Sequence, residues 1–185
     1  MSERSHEIEH KVIYCADGRY AGWPANYGIW SWGNEIVTGF TLGFHNKEGG
    51  FHSRDIKKPF ISMQSRSLDG GMTWETVEAP LLAPGNVAIS AGEHMEHASL
   101  SPISEGLNPP VRIPAKADFS NPDFAMLCAR SGLTKGSESW FYTSTDRCRS
   151  WNGPYTVPCL ANSASQPVLI TSLIGGKNLK GLLCS

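Results

Sequence analysis

The sequence has no long helical pattern, no extended apolar run and no excess of charge of either sign. No window keeps apolar residues at i, i+3, i+4 and i+7 over three turns, which argues against a helical fold. No stretch approaches the roughly 18 apolar residues of a transmembrane helix. The formal net charge is −1, so neither nucleic acid nor an anionic membrane is expected as a partner.

Cysteine is sparse and irregularly spaced. The five cysteines are an odd number and none form a Cys-x-x-Cys pair, so we predict free thiols and neither a zinc site nor a disulfide framework. His94 and His97 have metal-binding spacing but lie in a predicted loop, and no metal or cofactor is expected. The polar tail Met1–Glu9 lacks the apolar segment of a secretory signal. This slightly favours the cytoplasm, although a removed leader would leave the same pattern.

Glycine, proline and tryptophan are plentiful, and they separate short β-rich runs. This pattern predicts an all-β fold. Two long polar segments, His45–Pro59 and Ala91–Asp118, are predicted to be loops of the kind that often carry function. The predicted strands are Lys11–Cys15, Gly28–Trp32, Glu35–Phe44, Phe60–Ser67, Asp123–Arg130, Ser139–Ser144 and Val168–Ile174, the last of which lies in the C-terminal tail.

One eight-residue pattern occurs twice, 77 residues apart. Ser67–Trp74, which we name box 1, fits Ser-x-Asp-x-Gly-x-Thr-Trp at every defined position. Ser144–Trp151, which we name box 2, fits the same frame with Cys148 in place of the glycine. A predicted strand precedes each box. Self-similarity at fixed spacing indicates repeated supersecondary units.

The residue types of the box suit a tight turn between two antiparallel strands. The serine and aspartate side chains can accept hydrogen bonds from backbone N–H groups of the turn. The glycine supplies a positive φ without steric cost, and the tryptophan begins the next strand and packs between sheets. We therefore expect the box residues to be structural and not catalytic. They are Ser67, Asp69, Gly71, Trp74, Ser144, Asp146 and Trp151.

Box 1 resembles the Asp box, or BNR repeat, of sialidases (neuraminidases), and Asp17–Pro24 resembles the opening of exo-α-sialidase-like proteins. The resemblance covers about residues 10–158. It implies the N-terminal portion of a six-bladed β-propeller of antiparallel four-stranded blades, of which this length supplies about three. Unclosed blades would expose sheet faces and edges, which predicts self-association. Asp boxes also occur in propellers of other function, so the box specifies architecture better than chemistry.

The resemblance also implies a glycoside hydrolase that acts on terminal sialic acid or a related sugar. Sialidases hold the sugar carboxylate with arginines, and Arg19 matches the first of these. Asp55, 12 residues before box 1, matches the general acid/base, and Arg54 beside it is a candidate for binding the substrate. Trp23 and Asp118 are further candidates for binding the sugar. The alternatives are a strand-end arginine at Arg19, a solvated loop carboxylate at Asp55, core packing for Trp23 and turn stabilisation for Asp118.

The nucleophilic tyrosine of sialidases, its glutamate and the remaining arginines belong to later blades. The chain alone is therefore expected to lack a complete catalytic set, and the alternative function is a non-catalytic propeller module that binds glycan or protein. The resemblance ends near residue 158, and residues 159–185 form an atypical tail. Codons for Leu160–Thr171 can be chosen so that a shifted frame encodes a sialidase-like strand with an arginine. We therefore hypothesise a frameshift near Cys159.

Overall fold

The structure, a computed structural model, describes residues 8–48, 53–55, 57–58, 60–83, 87–88, 110–130 and 139–156. Within these ranges the chain is all-β, with antiparallel sheets, no closed barrel and a single helical turn. The predicted fold class is confirmed at this level. The helical turn is α1 (Pro24–Tyr27). The strands are β1 (Arg19–Gly22), β2 (Ile29–Trp32), β3 (Glu35–Phe44), β4 (Ile61–Ser67), β5 (Glu75–Glu78), β6 (Leu82–Ala83), β7 (Val87–Ala88), β8 (Ala125–Arg130), β9 (Ser139–Ser144) and β10 (Asn152–Thr156).

The first sheet, named sheet 1, contains five strands in four rows. β1 pairs with residues 41–44 of β3, and β2 pairs with residues 35–38, so these two short strands lie end to end. β4 pairs with the other edge of β3, and β5 pairs with β4. α1 interrupts the first row and lies over the middle of β3. Gly39 permits this approach, because a Cβ there would come within 2.6 Å of the Cβ of Tyr27.

The second sheet, named sheet 2, has the order β10-β9-β8 and is antiparallel throughout. Box 1 joins β4 to β5 and box 2 joins β9 to β10, so both boxes form the same kind of turn. Val111 adds an isolated parallel bridge to Tyr155 beside β10. β6 and β7 form a separate pair. Within the described ranges sheet 2 has three rows, one fewer than the predicted four-stranded unit.

Sheets 1 and 2 pack against each other through a largely aromatic layer. Trp140 and Tyr142 of β9 are almost fully buried, and burial of an apolar side chain of this kind stabilises a fold by roughly 3 kcal/mol. Tyr27 enters the layer from α1, and its hydroxyl lies 3.0 Å from Oγ1 of Thr41 and 2.9 Å from Oγ of Ser62. The buried apolar residues of the layer are Tyr27, Val37, Ala79, Leu81, Ala125, Leu127, Trp140, Tyr142 and Cys148.

Five predicted strands are present to within two residues of their predicted bounds. The predicted strand Lys11–Cys15 is wrong, because this segment is not paired with a strand. Instead, the ring of Tyr14 packs 5.3 Å from that of Phe40, so the segment contributes a side chain to the face of sheet 1. Val168–Ile174, the histidine pair and the tail lie outside the described residues. So does most of Ala91–Asp118.

The described parts of the two predicted loops contain no strand, only the isolated bridges His45–Arg54 and Val111–Tyr155. The described cysteines Cys15, Cys128 and Cys148 are free thiols. No helix in the described part of the chain is long and apolar enough to cross a membrane.

Candidate functional site

The residues predicted from the opening motif and the first loop meet at the end of sheet 1 opposite box 1. Arg19 begins β1 and pairs with Phe44, the last residue of β3. The N–H of His45 donates to the carbonyl of Gly18 at 2.9 Å, and the N–H of Asp55 donates to the carbonyl of Phe44 at 2.9 Å. These bonds fix the loop onto the sheet end. Arg19 and Asp55, which are far apart in sequence, are thereby both attached to the backbone of Phe44.

The guanidinium of Arg19 stacks on the ring of Phe44, with its central carbon 4.3 Å from the ring centroid. Its Nε is buried and has no hydrogen-bond partner among the residues that the structure describes. A buried donor without an acceptor costs about 1–3 kcal/mol. A carboxylate ligand would supply acceptor oxygens in the geometry that a guanidinium prefers. Arg19 is therefore suited to bind an anion.

The carboxyl group of Asp55 lies beside a second cation at the same ring. Nζ of Lys58 is 4.8 Å from the Phe44 centroid and 3.5 Å from Oδ2 of Asp55. Oδ1 of Asp55 accepts the N–H of Lys57 at 3.1 Å. The Asp55 side chain is 17% exposed, so a ligand can reach it. A positioned carboxyl group open to a ligand is a candidate for proton transfer.

Arg54 and Trp23 form a separate group at this end of the sheet. The central guanidinium carbon of Arg54 lies 5.0 Å from the Trp23 centroid and 4.2 Å from that of Phe60. Trp23 packs 5.2 Å from Tyr20. Because successive strand residues point to opposite faces, Tyr20 and Arg19 lie on opposite faces of sheet 1. Arg54 is buried and braces the aromatic side of the sheet end. Sugar contacts by Arg54 and Trp23 remain predictions.

Asp118 lies elsewhere, in an exposed turn before β8. Its side chain accepts hydrogen bonds from the side chain and the backbone N–H of Ser120, and these bonds lower the pKa of Asp118. The N–H of Asn121 donates to its carbonyl at 3.3 Å. The structure describes no contact between Asp118 and either Arg19 or Asp55. These contacts match the predicted alternative of a turn-stabilising role.

The hydrogen bonds of box 1 are those expected of a structural turn. Oγ of Ser67 accepts the N–H of Gly71 at 2.8 Å. Oδ1 of Asp69 accepts the N–H groups of Met72 and Thr73 at 3.0 and 2.9 Å. Hydrogen bonds from the Thr73 side chain and backbone, with smaller contributions from Ser67 and Met72, lower the pKa of Asp69. The aspartate is fully engaged within its own turn.

Box 2 repeats this network without the glycine. Oγ of Ser144 accepts the N–H of Cys148 at 2.9 Å, and Oδ1 of Asp146 accepts those of Arg149 and Ser150 at 3.0 and 2.9 Å. Burial alone would raise the pKa of Asp146, but the hydrogen bonds, chiefly from Ser150, lower it to about 2. The same side-chain network therefore forms with glycine in box 1 and with cysteine in box 2 at this position.

The backbone at that position is left-handed in both boxes. Gly70 and Gly71 have φ of +75° and +94°, while Arg147 and Cys148 have φ of +57° and +62°. For a residue with a Cβ this conformation costs roughly 1–2 kcal/mol. The thiol of Cys148 is fully buried between the sheets, and its burial raises its pKa. The packing of this side chain offsets the backbone cost.

Sequence reasoning missed the buried carboxylate of Glu35, which is 8% exposed. It forms ion pairs with Arg66, with Nη1 of Arg147 at 3.0 Å and with Nη2 of Arg149 at 2.9 Å. Burial raises its pKa, but hydrogen bonds from Arg147 and Arg66 and the charge of Arg149 lower it overall. The available signal was the pair of arginines flanking Cys148, for which box 1 has no counterpart. The cluster ties box 2 to sheet 1.

A cavity of about 300 Å³ lies between β4, β5 and box 2. The arginines that line it already pair with Glu35, so they are less available to a ligand than Arg19. No group of three histidine, cysteine or acidic side chains suited to a metal ion occurs in the described ranges. The lining includes Gln64, Arg66, Glu75, Val77, Cys148 and Arg149.

No protein-family model, no curated protein and no solved structure matches this chain.

Proposed function

We propose that this chain forms the first blades of a sialidase-like β-propeller and binds the carboxylate of sialic acid, or of a related acidic sugar, at Arg19. The observation that carries the proposal is the buried Nε of Arg19, which has no hydrogen-bond partner within the described residues. It belongs to a guanidinium stacked on Phe44 and lies beside the Lys58–Asp55 pair. A stacked, oriented arginine with an unused donor suits a planar carboxylate.

The architecture supports the propeller. Sheet 1 has four antiparallel rows, and box 1 joins the third row to the fourth. Sheet 2 carries its box between equivalent strands and packs against sheet 1. Units of this kind, repeated around an axis, build a propeller.

The proposed chemistry assigns one role to each side chain at Phe44. Arg19 holds the sugar carboxylate, and Lys58 adds positive charge next to it. Asp55 exchanges a proton with the oxygen that leaves the sugar. The nucleophilic tyrosine is not assigned to any described residue. We therefore expect this chain to bind the sugar. If the protein is a sialidase-like hydrolase, we expect turnover only from a protein that contains the remaining blades.

A non-catalytic glycan-binding module is the second candidate. It is favoured by the ion pair between Asp55 and Lys58. A carboxylate held in place by a cation can bind the polar groups of a ligand without exchanging a proton. The two candidates share the Arg19 contact and differ in turnover.

The test is titration of the whole chain with N-acetylneuraminic acid, with binding measured by calorimetry and by ligand-observed NMR. We expect Arg19→Ala to weaken binding about 10- to 100-fold, the loss expected for a charge-assisted hydrogen bond. Arg112→Ala, which removes an exposed arginine, should leave affinity unchanged. A neutral sugar without the carboxylate should not bind.

Equal affinity for the Arg19→Ala and wild-type chains would overturn the proposal. Hydrolysis of a fluorogenic sialoside by a protein that contains the remaining blades separates the two candidates. Turnover by that protein that Asp55→Asn abolishes would identify a hydrolase, while sialic-acid binding by it without turnover would identify a recognition module.

A further inference from the structure

The contact between sheets 1 and 2 shows how a box docks onto a neighbouring sheet. Box 2 lies against sheet 1 through apolar as well as polar groups. The ring of Trp151 packs 5.6 Å from that of Trp30, and Cys148 lies in a buried cluster with Val37. The amide of Gln64 donates to the carbonyl of Cys148 at 2.9 Å and accepts the indole N–H of Trp151 at 3.3 Å. The carboxylate of Glu35 receives Arg147 and Arg149. The docking positions of the box are therefore the two arginine positions and the tryptophan, and the receiving positions of the sheet are those of Glu35 and Gln64.

Box 1 has the same turn but presents different docking positions. Gly70 and Met72 stand where box 2 has its two arginines. Met72 is 62% exposed. The indole N–H of Trp74 donates to the carbonyl of Gly71 in its own turn at 3.0 Å. In box 2, the indole N–H of Trp151 donates instead to Gln64 of sheet 1. Box 1 thus offers an apolar docking edge that no described residue receives.

The receiving positions of sheet 2 are apolar as well. Ser67 pairs with Ile36 in sheet 1 as Ser144 pairs with Ala125 in sheet 2. The residue before each partner is Glu35 in sheet 1 and Phe124 in sheet 2. The residue three positions before the box serine is Gln64 in sheet 1 and Phe141 in sheet 2.

Strand alternation sets the direction of these phenylalanines. Trp140 and Tyr142 pack toward sheet 1, so Phe141 between them points to the opposite face. It lies 5.6 Å from Tyr155, and Phe124 lies 5.0 Å from the exposed Phe119. The outer face of sheet 2 therefore carries two aromatic pairs at the positions that receive a box in sheet 1.

We propose that box 1 of one copy of this chain docks onto the outer face of sheet 2 in a second copy. The polarity of each box matches that of its receiver at the two arginine positions. Charged Arg147 and Arg149 meet Glu35 within the chain, and apolar Met72 meets Phe124 between chains. The contact continues the sheet-to-sheet step already present in the molecule. Because the two surfaces differ, the contact is heterologous, and its repetition produces a ring or an open chain.

The test is sedimentation velocity of the whole chain over a range of concentrations. We expect wild-type protein to form assemblies larger than a monomer. Met72→Glu should weaken association at least about tenfold, because it places an unpaired carboxylate against the electronegative faces of aromatic rings. Leu68→Glu is the matched control. Leu68 is 67% exposed on box 1, but its counterpart Thr145 is exposed in box 2, so it lies outside the docking edge.

Rescue distinguishes this contact from nonspecific stickiness. Phe124→Glu alone should also weaken association. An equimolar mixture with Met72→Glu should restore dimers, because the intact box 1 of the Phe124→Glu chain can dock onto the intact sheet 2 of the Met72→Glu chain. Met72 is exposed, so its variant tests the proposal even if Phe124→Glu fails to fold. A wild-type chain that stays monomeric at 100-fold dilution and at the highest soluble concentration would overturn the proposal. So would equal effects of Met72→Glu and Leu68→Glu. Neither result bears on sugar binding at Arg19.

Discussion

The indole N–H of Trp151 donates to the side-chain oxygen of Gln64, 87 residues earlier in the chain, at 3.3 Å. The nitrogen of the same amide donates to the carbonyl of Cys148. In box 1 the equivalent tryptophan bonds directly to its own turn. An amide from sheet 1 is therefore inserted into the turn of sheet 2, and it couples two units that sequence alone presents as separate repeats.

Gln64→Leu should destabilise the chain by about 2 kcal/mol. Gln64 is buried, and its loss leaves the Trp151 N–H and the Cys148 carbonyl without their partner, at the cost expected for unsatisfied buried polar groups. Urea unfolding followed by tryptophan fluorescence measures the change. Thr145→Ala, at an exposed box position, should change the free energy of unfolding by less than about 0.5 kcal/mol. Equal stabilities of the Gln64 and Thr145 variants would contradict the coupling.

Glu35→Gln should cost about 2 kcal/mol of unfolding free energy, the range of hydrogen bonds to a charged group. The substitution leaves three arginines facing one another without the carboxylate that holds them. Glu78→Gln is the matched control, because Glu78 is exposed on β5. Chemical denaturation of both variants decides the point. A Glu35→Gln chain as stable as the Glu78→Gln chain would show that the ion pairs do not support the fold.

Stability should fall as the pH drops from about 5 to about 2. The folded chain lowers the pKa of Glu35 and Asp69, and it lowers that of Asp146 from 3.8 to about 2. The unfolded chain therefore binds more protons in this window. The contribution of these carboxylates is present above their ordinary pKa values and is lost as the pH falls through the folded values. Thermal unfolding at several pH values measures the loss. A midpoint that rises on acidification through this window would refute the assignment.

Cys148→Gly should be less destabilising than Cys148→Ala, by about 1 kcal/mol. Both variants remove the buried thiol, but only glycine relieves the left-handed backbone at φ +62°, whose cost falls on any residue with a Cβ. Burial alone predicts the reverse order, since alanine keeps one more buried atom. Parallel urea titrations of the two variants distinguish the effects, and a more stable alanine variant would show that packing outweighs backbone strain here.

The two boxes illustrate how much local structure the sequence encodes. Their serine and aspartate hydrogen bonds follow from residue types within eight positions, and so do the strands that precede them. Lys11–Cys15 failed as a strand although β1 and β2 form an edge of sheet 1, because a β-rich composition does not by itself align a segment with a neighbouring strand. The functional reading of Arg19 and Asp55 came from resemblance. The structure adds their shared attachment to Phe44.

By itself the sequence determined the all-β character, five of the ten strands in the described ranges and the two box turns, because each depends on contacts between residues close in the chain. Tertiary structure alone decided that Glu35 receives arginines from box 2, that Gln64 enters the turn of a distant repeat, and that Arg54 faces away from Arg19. These relationships depend on which faces meet and on side-chain alternation across paired strands. Patterns among residues close in the chain do not specify which faces of the sheets meet, because these contacts form only when the sheets pack together.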